Sequence, residues 1–99
     1  TVKKVPFDKI IFCESELKNT KIVYQNGTFE KFAVSLTEIE PLLPKNIYMR
    51  THKSFIVNLS YLEQAERLEV TLGENFKVPV SKAYTKVVKD KITLFLGGC

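Results

Sequence analysis

One imidazole, two thiols and a close pair of carboxylates are the groups of this chain best suited to chemistry, and their spacing decides which reactions are open to it. His52 is the single histidine, and Cys13 and Cys99 lie far apart in the chain. A metal centre needs several ligands at short spacings such as H-x-x-x-H or C-x-x-C, and neither pattern occurs. There is no G-x-S-x-G to expose a nucleophilic serine, and four glycines are too few to build a loop that cradles phosphates. Glu14 and Glu16 fall on one side of a predicted strand and imitate an acid/base pair, but a solvated strand end accounts for them far better. The residues point away from an enzyme, and they imply no metal and no cofactor.

Binding is better served. The segment RTHKSFIVNLS, residues 50–60, sets Arg50, His52, Lys53 and Ser54 directly against Phe55-Ile56-Val57, which is expected to be buried. A solvated loop does not need its charges so near the core, whereas a binding surface gains from a buried strand that fixes them in place. A second candidate is ELKNTK, residues 16–21, whose loop offers Lys18, Asn19, Thr20 and Lys21. Ser81 and Lys82 stand at the expected start of a helix, where free backbone N–H groups favour a phosphate, and Lys86 lies one turn further on. Taken singly, each has a plain structural alternative. His52 suits a hydrogen-bonded structural histidine, Ser81 a simple cap, and Asn58 a cap for the turn that follows the strand.

Ninety-nine residues with 44% hydrophobic side chains make one domain with a single core. Fifteen Lys and Arg against eleven Asp and Glu give a net charge of +4, which permits an anionic partner without demanding one. The charges are unevenly placed. Residues 50–54 carry no acid, and Lys82, Lys86, Lys89 and Lys91 face only Asp90, while Glu63, Glu66, Glu69 and Glu74 are opposed by Arg67 alone. One face should be basic and another less so. Two distant cysteines make no disulfide framework, which favours a reducing compartment such as the cytoplasm. No apolar run reaches the length of a membrane span, and no signal peptide is visible.

The elements that must position these groups are mostly strands. KIIFC at 9–13 opens the series, and residues 21–34 form two β-rich runs joined by Asn26-Gly27, a strong hairpin signal. A second hairpin is expected over 68–80 through Gly73-Glu74-Asn75, with Pro79 at an edge or a strand end. Between them lies a strand at about 54–57. Ser35 and Glu38 form a capping box for a helix with Leu36, Ile39, Leu42 and Leu43 on its apolar face, kept short by Pro41. Ser81 opens a second helix with Tyr84, Val87, Val88, Ile92 and Phe95 as its stripe, ending at Gly97-Gly98. The fold class expected is mainly β with two short helices.

The combination of R-T-H-K-S-F-I-V-N-L with a later G-x-x-x-x-V-P-V-S-K-x-Y resembles the LytTR DNA-binding domain, the output domain of LytR/AlgR-type bacterial response regulators, peptide quorum-sensing regulators among them. The likeness extends to the D-K-I-I-F-C-E-S strand, the N-G hairpin and the S-L-T-E-I-E helix, and so to nearly the whole chain. It implies sandwich-like antiparallel sheets that bind duplex DNA through loops entering successive major grooves. Residue by residue, it makes 18–21 one reading loop, Lys53-Ser54 the middle contact and Lys82 the second reader, with Arg50 and His52 touching the DNA backbone or bracing Lys53. Two departures affect base preference. Thr20 replaces the imidazole or guanidinium of some members, and Lys82 replaces an arginine, losing the planar fork that grips guanine. The resemblance further implies a cytoplasmic transcriptional regulator of a two-component system, with a receiver domain in the full-length protein. Its domains would be monomers that pair on direct repeats in promoters. The rivals are a basic β-module for single-stranded nucleic acid, and a module that binds a protein partner.

Overall fold

The computed structural model describes residues 4–97 as eight strands in two antiparallel sheets, with two helices. The larger sheet takes β1 (Ile10–Glu16), β2 (Asn19–Tyr24), β3 (Phe29–Phe32), β4 (Tyr48–His52) and β5 (Phe55–Asn58) in the order β3-β2-β1-β5-β4. The smaller takes β6 (Leu62–Ala65), β7 (Glu69–Leu72) and β8 (Phe76–Pro79) in chain order. The mainly β, sandwich-like class expected from the sequence is the one observed. Both predicted hairpins turn where expected, with Gly27 at φ +86 and Gly73 at φ +56 supplying the left-handed backbone that the turns require. Pro79 ends β8, an edge strand, where its missing N–H costs no ladder bond.

Two strands escape a reading by pattern. β4 contains the opening residues 50–52 of the 50–60 motif. Its Tyr48, Met49 and Thr51 are buried, while Arg50 and His52 are half-covered. β6 reads LEQA, three of whose side chains are exposed, so it carries almost no apolar signal. Bulges refine the pairing. In β1 the register passes from Ile10↔Tyr24 to Phe12↔Val23, so β1 carries one extra residue there. That brings the neighbours Ile11 and Phe12 into the same cluster, which a regular strand would not do.

The large sheet is covered on both faces. Ile11, Phe12, Val23, Met49 and Val57 meet Val70, Leu72 and Val78 of the small sheet, with Val88 closing the layer. Ile10, Cys13, Ile22, Tyr24 and Ile56 meet Leu36, Ile39 and Leu43 on the other side. The helix there, α1 (Leu36–Ile39), is a single turn with the complete Ser35/Glu38 capping box, and Pro41 turns the next residues into a 3-10 segment. That segment swings Leu42 out to 67% exposure, away from the apolar face assigned to it. In α2 (Thr85–Phe95), Val88 is buried and Tyr84, Ile92 and Phe95 pack against the core. Val87, expected on the same stripe, is 58% exposed. Phe55 is also only half-buried, whereas Ile56 and Val57 are fully enclosed.

Cys13 is a free, buried thiol, and its expected lack of pairing with Cys99 involves a residue outside those described. Burial pushes the Cys13 thiol from 9.0 up to about 12. The unfolded chain therefore ionises it more readily. Its contribution to stability is complete below about pH 9 and is lost as the pH climbs toward 12. At pH 8, peptide mapping after iodoacetamide treatment should find Cys13 unmodified in the native protein and modified once urea is added. Rapid native labelling would show that this face of the sheet opens. Among the described residues no helix is long and apolar enough to cross a membrane.

Candidate nucleic-acid interface

The β1–β2 connection is shorter than a loop over 18–21. Glu16 pairs with Asn19, which leaves Leu17 and Lys18 as a two-residue turn. Lys18 and Asn19 are exposed at its crown. Thr20 is not part of that surface. It is fully buried within β2, and its hydroxyl donates to the Val34 carbonyl at 2.8 Å, so it pins the chain entering α1 and offers nothing to a ligand. Lys21 is likewise withdrawn from the turn, since its ammonium rests 4.5 Å from the centre of the Phe29 ring. Lys31 flanks the same ring and pairs with Glu16 at 3.0 Å. Glu14 stands opposite Lys21 across the strands, so both carboxylates suspected as a pair have lysine neighbours.

The β4–β5 connection is again a two-residue turn, Lys53-Ser54, because His52 pairs with Phe55. Arg50 is built into it. Its guanidinium donates to the Lys53 carbonyl at 2.6 Å, to the His52 carbonyl at 3.3 Å and to Glu40 Oε1 at 2.7 Å. Bound on three sides, Arg50 ties the turn to the 3-10 segment after α1 and is committed to the scaffold. His52 Nδ1 accepts the Ser54 N–H at 3.1 Å, and its ring meets the edge of Phe55. The neutral imidazole then carries its proton on Nε2, so the ring shapes the turn through one nitrogen and can donate from the other. Lys53 alone of this group points freely outward, exposed and without an ion pair among the described residues.

The third place departs from expectation. Ser81 heads only a three-residue 3-10 turn, Lys82–Tyr84, its side chain makes no capping bond, and α2 begins at Thr85. The turn runs directly into α2, but the Ser81 N–H is already spent on the Thr51 carbonyl at 2.9 Å. That bond has its own value, because it fixes Lys82 beside β4. Lys82 is exposed and unpaired among the described residues, whereas Lys86 is held by Asp90 at 2.9 Å. The hydrogen bond to Asp90 also raises the affinity of the Lys86 amine for its proton.

These turns share one end of the molecule. β1 and β5 run antiparallel with Glu14 opposite Phe55, and the Ser15 N–H donates to the Ser54 carbonyl at 2.8 Å. The Leu17-Lys18 turn therefore stands beside the Lys53-Ser54 turn, and the Ser81–Thr51 bond adds Lys82 on the far side. Lys18, Lys53 and Lys82 form a row along the strand ends, crossing β2, β1, β5 and β4, or about 14 Å at the usual strand spacing. Gly73 packs beside Ile11 near the start of β1, and Glu74 lines a cavity with Asn26 and Gly27 there, so acidic Glu74 lies away from this row.

The fold that carries this row has known parallels. The family model described as the LytTr DNA-binding domain matches residues 1–93. This chain belongs to the LytTr DNA-binding domain family. A solved structure from Bacillus cereus, described as a LytTr DNA-binding domain, superposes with a TM-score of 0.79 at 29% identity, covering 89% of this chain and 84% of the other. The sensory transduction protein LytT of Enterococcus faecalis is 36% identical over 69 residues, 65% of this chain and 28% of that protein. A response regulatory protein of Vibrio cholerae is 26% identical over 96 residues, 92% of this chain and 39% of its own length. This LytTr domain thus spans less than half the length of these curated relatives. Glu40, which anchors Arg50, and Leu17, at the crown of the first turn, gave no sign in the sequence. The first lies ten residues from its partner and the second reads as an ordinary apolar residue.

Proposed function

We propose that this LytTr domain binds duplex DNA with sequence preference, as the effector part of a bacterial transcriptional regulator. The observation that carries the reading is the row of Lys18, Lys53 and Lys82, each exposed at a turn that backbone bonds fix in place. Phosphates supply the affinity for such a row, and side chains at its crown can reach base edges. Asn19, Ser54 and Ser81 lie beside the lysines as polar neighbours, His52 offers Nε2, and Lys86 is a peripheral backbone contact. Arg50 acts as a brace for Lys53. In the full-length regulator a receiver domain would control this one in the cytoplasm, and two copies would sit side by side on direct repeats.

Single-stranded nucleic acid needs exposed aromatic faces for base stacking. Phe29 is the most exposed aromatic among the described residues, and Lys21 and Lys31 flank its ring. One such ring is not the series of exposed faces that a strand of bases needs, which disfavours the single-strand rival. Selection of bound duplexes from a random pool, followed by titration at several salt concentrations, tests the proposal. Log K should fall with log salt at roughly −0.9 per phosphate contact. A nearly flat response would point to a protein partner instead, and preference for single strands would sink the duplex reading.

Lys82 and Lys86 should separate on the selected sites. Lys82→Ala is expected to cost about 1–3 kcal/mol on the preferred duplex and to relax selectivity at one or two positions. Lys86→Ala should weaken all duplexes slightly and equally, since Asp90 already holds its charge. Identical behaviour of the two variants across a panel of mutated sites would remove Lys82 as a reader.

A further inference from the structure

Leu17 is 99% exposed, so its side chain touches almost nothing in the folded chain. It is also the one non-glycine residue with positive φ among those described, at +57. Two-residue hairpin turns with positive φ at their first central position favour glycine there, because a Cβ is strained in that conformation. Leucine is thus a poor choice for folding the turn and a poor choice for solubility. It is nonetheless held firmly, by the paired β1–β2 hairpin beneath it and by the Ser15–Ser54 bond that sets its turn beside Lys53. A strained residue in a rigid, cation-bearing turn is a reason to look for function there.

We propose that Leu17 reads thymine, its methyl groups meeting the thymine C5-methyl in the major groove. This rests on the duplex-binding reading. A leucine side chain has no donor or acceptor, so it gains nothing from phosphates or from the polar edges of guanine, cytosine and adenine. The thymine methyl is the apolar feature the major groove presents, and contact with it is a recognised form of base readout. Lys18, next in the turn, is placed to hold the neighbouring phosphate and so bring Leu17 to the base edge.

The test uses the 99-residue chain and a duplex selected from a random pool. Each thymine is replaced in turn by deoxyuridine, which pairs identically but lacks the methyl. At one thymine the parent protein should lose about fourfold in affinity, the equivalent of one buried methylene-sized contact. Leu17→Gly should bind the original duplex more weakly by at least that factor and should ignore the same replacement. Glycine accepts positive φ, so this variant should melt no lower than the parent. Leu17→Asn, also tolerant of that backbone, serves as the second variant. Equal responses of parent and variants to every deoxyuridine would overturn the inference while leaving duplex binding intact. If the pool yields no bound duplex, both readings fall. A parent that bends the duplex through Leu17, with no deoxyuridine effect, would make the residue a minor-groove wedge and equally overturn the thymine contact.

Discussion

Replacing Asn58 with alanine is expected to lower the free energy of unfolding by about 2–4 kcal/mol, seen as an earlier midpoint in urea with little change in slope. Asn58 is fully buried, and its amide nitrogen donates to the Ile10 carbonyl at 2.8 Å and to the Tyr48 hydroxyl at 3.2 Å. Its oxygen accepts the Ser60 N–H at 2.8 Å, capping the 3-10 turn after β5. The Tyr48 hydroxyl donates onward to the Phe7 carbonyl, and burial, the largest influence, raises the affinity of that phenol for its proton. One amide therefore fastens β1, β4 and the exit from β5 together. Alanine strands the Ile10 carbonyl in a site with low access to water, where the orphaned group carries a desolvation penalty, and it removes the cap from the part-buried Ser60 N–H. A loss below about 1 kcal/mol would mean that water takes over these bonds. The network would then be a convenience of the native state, with no fastening role.

The triple variant Lys18→Ala, Lys53→Ala, Lys82→Ala is expected to bind the preferred duplex on the order of 10²–10³ times more weakly at 0.1 M salt, and its salt slope should be shallower by about 2.7. The arithmetic follows from one released counterion per lysine, if each neutralises one phosphate. All three side chains are exposed and unpaired among the described residues, so unfolding should shift by no more than about ±0.5 kcal/mol for each. Equilibrium titration at four salt concentrations, beside a urea curve for the same protein, separates the two effects. If the slope is unchanged, the row does not face the phosphates, and the binding end lies elsewhere. A parallel loss of stability would instead place the lysines in the scaffold. The control is Lys31, already paired with Glu16 over Phe29, whose removal should leave the slope nearly as it was.

Sequence by itself determined the hairpin turns and the short helix α1. Asn26-Gly27 and Gly73-Glu74-Asn75 turn because their backbones accept positive φ, and α1 starts at a capping box and stops at Pro41 for reasons contained in nine residues. The RTHKSFIVNL motif pointed to the family because its order of polar and apolar types is unusual, and the family match bears out that identity. Tertiary structure decided which side chains remain available. Thr20 and Lys18 are two residues apart, yet the two-residue turn leaves Lys18 outside the ladder while Thr20, inside β2, is buried. Arg50 looks like a DNA contact in sequence, and only the fold brings Glu40 and two carbonyls around its guanidinium. Ser81 has the residue type of a helix cap, but its backbone is drawn to Thr51 and the helix starts later. The physical reason is the same in each case. Turn and capping preferences act over a few bonds and can be read in order along the chain. The availability of a polar group depends on competition among all the partners within about 3 Å of it, and those partners are assembled only when distant strands pair.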